Sequence, residues 1–124
     1  MSHGKEVLEG LRPLTKELRD LIPDVYSGLA RTSQAAFAAG ALDTKNKELI
    51  ALAIAVVKRC DGCIASHARG AARAGATPQE VAEAVGVTFA MEGGPASVYG
   101  PRALAAFMDF YTPRDDGTSA SANA

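Results

Sequence analysis

Four side chains in this sequence are spaced so that they could act together: Glu48, Cys60, Cys63 and His67. At about 100° per residue, the two sulfurs and the imidazole fall within a helical sector of roughly 60°. A helix beginning near Cys60 therefore turns all three to one side. The chemistry this suits is redox, because the thiolate is the nucleophile, and a helix N-terminus and a nearby imidazole both favour it. A second cysteine two residues away can then capture an oxidised sulfur as a disulfide. Lys58, Arg59 and His67 add to the pull toward thiolate, whereas Asp61 opposes it.

Glu48 joins this group only on a condition. On one straight helix it would stand about 18 Å from Cys60, at 1.5 Å per residue. The chain must fold back, and Asp61-Gly62 is the turn signal that allows it. Glu48 would then orient or charge the imidazole, directly or through one water, and the imidazole would relay protons for the thiols. Other readings stay open at this point. The cysteines could be small buried residues or a passive disulfide, His67 a satisfied core histidine, and Glu48 an early-helix carboxylate favoured by the dipole. The four could also ligate zinc, although no second Cys-x-x-Cys or paired histidine follows, and ligands on one helix face wrap a tetrahedron poorly.

The elements that must position these residues read as helices throughout. Apolar residues at Val7, Leu8, Leu11, Leu14, Leu18 and Leu21 predict a helix over 4–21, kinked or divided at Pro13. Pro23 opens a second helix that runs to a cap at Gly40. Asp43-Thr44 caps a third, which carries Glu48 and is wholly apolar from Leu49 to Val57, so it should be buried on every face, inside its subunit or at a subunit contact. The Cys60–His67 helix closes at Gly75. Thr77-Pro78-Gln79-Glu80 is a capping box for a fifth helix, ended by Glu92-Gly93-Gly94-Pro95. A last helix runs through Val98 and, past a bend signal at Gly100-Pro101, through Leu104, Phe107, Met108 and Tyr111, and the small polar residues 113–124 predict a disordered tail. The class is all-α.

Composition sets the outer bounds. The 124 residues suffice for one domain, with a net charge of −1 that gives no basic field for nucleic acid or an anionic membrane. Aromatics make up 6% and tryptophan is absent, which leaves little material for stacking bases. The longest wholly apolar run is nine residues, short of the ~20 needed to span a membrane. No apolar stretch with a cleavage site opens the sequence, so the expected location is the cytoplasm.

Taken as one pattern, Glu48, Cys60, Cys63 and His67 match E-x11-C-x2-C-x3-H. This resembles the signature of the alkylhydroperoxidase D-like (AhpD-like) proteins, within the carboxymuconolactone decarboxylase-like superfamily. The resemblance covers roughly residues 20–110 and implies a single helical domain over 1–112, a bundle of about six helices. In that family the cysteine helix lies at the heart of a homo-oligomer, a trimer or hexamer. The resemblance further implies peroxiredoxin-type activity in which Cys63 attacks a hydroperoxide, Cys60 resolves, and Glu48 and His67 form the proton relay. A dithiol of lipoyl or thioredoxin type would be the reductant, with no cofactor and no metal. One departure is Gly62, where some members carry a second histidine directly before the second cysteine, so the resemblance implies one base fewer here. Two rival functions stand beside this one. Decarboxylation of a carboxylated muconolactone needs cationic or hydrogen-bonding groups to hold an acidic lactone and has no use for two thiols; a non-enzymatic helical module would use the cysteines as a redox-sensitive latch.

Overall fold

The computed structural model describes residues 2–113, so the expected tail, apart from Pro113, lies outside the described residues. Six helices follow one another: α1 (Lys5–Leu21), α2 (Pro23–Phe37), α3 (Thr44–Lys58), α4 (Asp61–Arg73), α5 (Pro78–Glu92) and α6 (Gly94–Phe110). There is no strand among the described residues, and the chain is all-α.

Local sequence sets most of the boundaries. Asp43 caps α3 by accepting the Asn46 N–H at 2.7 Å. Thr77 and Glu80 form both halves of the capping box on α5, and Lys45 on α3 pairs with Glu80 at 2.7 Å. That lysine and the Thr77 amide hold the Glu80 carboxyl below its ordinary value. Gly93, at φ +69°, separates α5 from α6 in a conformation that a side chain would resist. Pro13 and Pro101 lie inside α1 and α6, and each helix is assigned as a single element across its proline.

The core belongs to α3, α4, α5 and α6, in which α4 and α5 each pack on both α3 and α6; α1 lies against α4 and α6, and the backbone of α2 runs beside α1 and α3. Leu52, Val56, Ile64, Val81 and Phe107 are fully buried, and alanines such as Ala55, Ala68, Ala71 and Ala103 fill the spaces between them. Small residues let helix axes approach closely and so bury the larger ones without voids. Neither α1 nor α2 buries a side chain completely.

Three expectations meet the structure differently. First, α3 is buried on one side within its own chain, and its outer face is left to the subunit contact that the sequence reading allowed: Leu52, Ala55 and Val56 face the core, whereas Ile50, Ile54 and Val57 are 49%, 50% and 39% exposed. The neighbouring helices of one chain cover only one side of it. Second, α2 ends at Phe37 rather than Gly40, with Ala38 extended at φ −62°, ψ 142°. The Thr44 hydroxyl donates to the Phe37 carbonyl at 2.8 Å and Lys47 to the Ala38 carbonyl at 2.6 Å, so α3 takes carbonyls that another helical turn would have used. Third, the fold-back does not turn at Asp61-Gly62. It turns at Arg59, which adopts the left-handed conformation at φ 54°, and Asp61 and Gly62 already belong to the first turn of α4.

The start of α1 is tied to the end of α6. The Gly4 and Lys5 amides each donate to Asp109 Oδ2 at 3.0 Å, and the Ser2 hydroxyl donates to the same oxygen. A Cβ at Gly4 would meet Asp109, Ala106 and Phe110 within 2.8 Å, so only glycine allows this approach. The Ser2 hydroxyl, with the Lys5 and Gly4 amides, holds the Asp109 carboxyl below its ordinary value.

Candidate active site

The left-handed turn at Arg59 sends the chain back along α3. The Arg59 N–H closes on the Val56 carbonyl at 3.1 Å and the Cys60 N–H on the Ala55 carbonyl at 3.2 Å, satisfying carbonyls that the helix end leaves open. Cys60 then serves as the N-cap of α4, and its Sγ accepts the Cys63 N–H at 3.2 Å. A sulfur in this position lies where the backbone amides and helix dipole favour negative charge. Cys60 and Cys63 are joined as a disulfide, with their Cα atoms 5.2 Å apart. Cys63 is exposed and Cys60 half-buried.

One turn further along α4, His67 Nδ1 lies 2.9 Å from Glu48 Oε2, and the Glu48 side chain is 14% exposed. With Nδ1–H donated to the carboxylate, Nε2 is left to accept or deliver a proton. The carboxylate thereby holds the ring in one orientation. This contact depends on Gly70, because a Cβ there would fall on the Glu48 carboxyl carbon and both of its oxygens. On the other side, the ring of Phe37 stacks on His67 with centroids 5.2 Å apart and planes 20° from parallel. The Thr44 and Lys47 bonds that end α2 thus also fix the ring covering the imidazole.

Phe37, Glu48, His67, Arg69, Gly70 and Arg73 line an open cleft of about 610 Å³. The sequence brings Glu48 and His67 together here as expected. The cysteines do not line the cleft; they belong to the same helix, and Cys63 sits on the α4 stripe that continues through His67 and Gly70. The tyrosines Tyr26 and Tyr99 do not line the cleft either. Tyr26 lines a separate depression with Arg19 and Pro23, and Tyr99 packs beneath the Arg102 guanidinium at 4.6 Å. Among the described residues, no three His, Cys, Asp or Glu side chains are grouped so as to hold a metal. No helix there is long and apolar enough to cross a membrane.

Gly70 and Phe37 are the site residues that sequence reasoning missed. A lone glycine inside the helical pattern, one turn from His67, was the available signal for the first. Phe37 gave none, since its partner is remote in sequence. The missing histidine before Cys63 has a spatial correlate: a Cβ at Gly62 would lie 2.8 Å from Leu11 Cδ1, so α1 occupies the space where a larger residue would project.

Known proteins resemble this chain in sequence and fold. The chain is 45% identical over 84 residues to protein 4 in the cox locus of Paracoccus denitrificans, spanning 68% of this chain and 73% of that one. A protein of Cupriavidus necator is 40% identical over 85 residues, spanning 68% and 75%; both relatives are named as uncharacterized. Among solved structures, a carboxymuconolactone decarboxylase family protein from Legionella pneumophila superposes with a TM-score of 0.82 at 37% identity, covering 86% of this chain and 96% of that one. A Thermotoga maritima protein gives 0.70 at 28% identity, covering 85% and 92%. The sequence model of the Carboxymuconolactone decarboxylase family matches residues 23–108, from the first turn of α2 to the last of α6, and the chain therefore belongs to that family, with the Glu48, Cys60, Cys63 and His67 pattern of its alkylhydroperoxidase D-like members.

Proposed function

We propose that this protein is a thiol-dependent peroxidase that cycles Cys60 and Cys63 between dithiol and disulfide. The observation that carries the reading is the 2.9 Å bond between Glu48 and His67, set one turn along from a cysteine pair at the N-terminus of the same helix. A proton relay next to two thiols has a use in peroxide reduction and little in passive cross-linking.

In the reduced protein the Cys63 thiolate attacks the terminal oxygen of an organic hydroperoxide. An S–O bond forms, the O–O bond breaks, and the alkoxide leaves as an alcohol with a proton relayed through His67. Cys63 is then a sulfenic acid. The Cys60 thiolate attacks that sulfur, the S–S bond forms, and hydroxide leaves as water with a second proton. The exposure of Cys63 supports its role as the attacking residue, and the amide bond to Cys60 Sγ supports Cys60 as resolving thiolate. An external dithiol of lipoyl or thioredoxin type reverses the disulfide. Its first sulfur bonds to Cys63, Cys60 leaves as the amide-stabilised thiolate, and its second sulfur closes its own disulfide and frees Cys63.

The test is to count free thiols in reduced protein before and after one equivalent of cumene hydroperoxide. Two thiols should be consumed per peroxide, Cys63→Ser should consume none, and Cys60→Ser should accumulate a sulfenic acid that dimedone traps. Retention of both thiols, or unchanged turnover in Cys63→Ser, overturns the reading. Arg69 and Arg73 also line the cleft and are the kind of cationic groups an acidic lactone needs. A decarboxylase would release carbon dioxide from carboxymuconolactone as fast with both cysteines replaced by serine.

A further inference from the structure

Beside the relay cleft, α1 and α4 enclose a second one of about 370 Å³, whose walls include Leu8, Leu11, Arg12 and Arg19 from α1 and Gly62 and Arg69 from α4. Residues 8, 12, 15 and 19 recur at helical spacing, so α1 turns one face to this space. Gly62 lies between the two cysteines, and Ser66 and Arg69 line both clefts, so the two clefts meet along α4.

The charge of this second cleft is one-sided. It holds three guanidiniums and no carboxylate among its lining residues. Among the described residues, no carboxylate lies within ion-pair distance of Arg12, Arg19 or Arg69, and Asp20, which follows Arg19, is taken by Lys16 at 2.7 Å. In the relay cleft the Glu48 carboxylate is engaged by His67. In a chain of net charge −1, three unpaired guanidiniums around one depression form a local positive field against the overall sign. Guanidinium is the group best shaped to grip a carboxylate, through two parallel N–H donors. Leu8 and Leu11 supply an apolar strip beside it.

We infer that this cleft binds the carboxylate and hydrocarbon arm of a carboxylated organic hydroperoxide, such as an oxidised fatty acid. The carboxylate is held by Arg12, Arg19 and Arg69, the hydrocarbon arm lies along Leu8 and Leu11, and the cleft leads to Gly62 and so to the exposed Cys63. The identity of the ligand as a hydroperoxide rests on the peroxidase reading above; its carboxylate recognition does not. The arginines here are specificity residues and take no part in the chemical step.

Two measurements separate these parts. The first titrates decanoate, or methyl decanoate, into the full-length protein and follows backbone amide shifts. Decanoate should move the amides of Leu11, Gly62 and Ser66, methyl decanoate should bind about tenfold more weakly, and Arg12→Gln with Arg19→Gln should remove that difference. Arg31→Gln, on the exposed face of α2, should leave it intact. No binding, equal binding of acid and ester, or shifts confined to the Val87–Met91 surface overturns the proposal. The second compares kcat/KM for linoleic acid hydroperoxide and its methyl ester, where the acid should be preferred about tenfold and the double variant should bring the ratio toward one. If decanoate binds as described but neither hydroperoxide is reduced, the carboxylate site stands and the peroxidase reading falls. If both are reduced without preference, the site is overturned and the peroxidase reading stands.

Discussion

Glycine at position 70 shows how narrow the conditions at the site are. Inside α4 it lowers helix stability by about 0.5–1 kcal/mol relative to alanine. Its place is explained by the carboxyl of Glu48, which occupies the volume that a Cβ would need. Gly70→Ala should therefore leave the melting temperature equal or slightly raised while displacing Glu48, with peroxide reduction falling about tenfold or more. Adding Glu48→Ala to Gly70→Ala should then cost little beyond the single change, as expected for residues acting through one contact; steady-state kinetics on the double-mutant cycle reads this. Glu48→Gln keeps the shape but removes the charge facing His67. Its kcat/KM for hydroperoxide should fall about a hundredfold, the lower end of the range for acid–base groups, while both thiols stay titratable.

At the scale of elements, α1 is the least anchored part that touches the site, since it buries no side chain fully and yet forms one wall beside Gly62. Its N-terminus is held by the Asp109 carboxylate, whose folded pKa lies below its ordinary value of 3.8. A depressed carboxylate stabilises the folded state above the unfolded pKa, and that contribution is lost as pH falls through the folded value. Docking of α1 should thus be constant from neutral pH down to about pH 4 and weaken below it. Amide hydrogen exchange across Lys5–Leu21 should accelerate below that pH, and Asp109→Asn should give fast exchange already at neutral pH. If α1 loosens, the wall carrying Arg12 and Arg19 loosens with it, so carboxylate preference should decline in the same variant.

For the whole molecule, the exposed apolar surface is the feature a lone chain does not account for. Ile54 and Val57 on α3 line an open groove of about 410 Å³ with Val87 and Met91 on α5, and Ile50 stands exposed one turn before Ile54. Leu14, Leu18, Leu21, Val25 and Leu29 stand exposed on α1 and α2. Monomers rarely leave this many large apolar side chains exposed without a partner surface. Self-association is the expected outcome, with wild type sedimenting as a multiple of its 12.8 kDa chain mass. Ile54→Lys should shift the sedimenting species toward monomer with helical circular dichroism retained; a variant that sediments like wild type would move the contact elsewhere.

Much of this protein is local and was legible in its order of residues. Caps at Asp43 and Thr77, the break at Gly93 and the helix begun by Cys60 each depend on neighbours within a few positions, and the backbone responds to them directly. The Cys60, Cys63 and His67 face follows from the helical repeat alone. Contacts between remote segments were another matter. Whether Glu48 meets His67 depends on a turn at Arg59 and on an empty position at Gly70, neither of which carries a signal for the other. Phe37 reaches His67 only because α3 ends α2 early. An apolar run such as Leu49–Val57 has one spelling whether its outer face meets its own chain or remains exposed, so tertiary packing alone decided that Leu52 and Val56 turn inward while Ile50 and Ile54 do not.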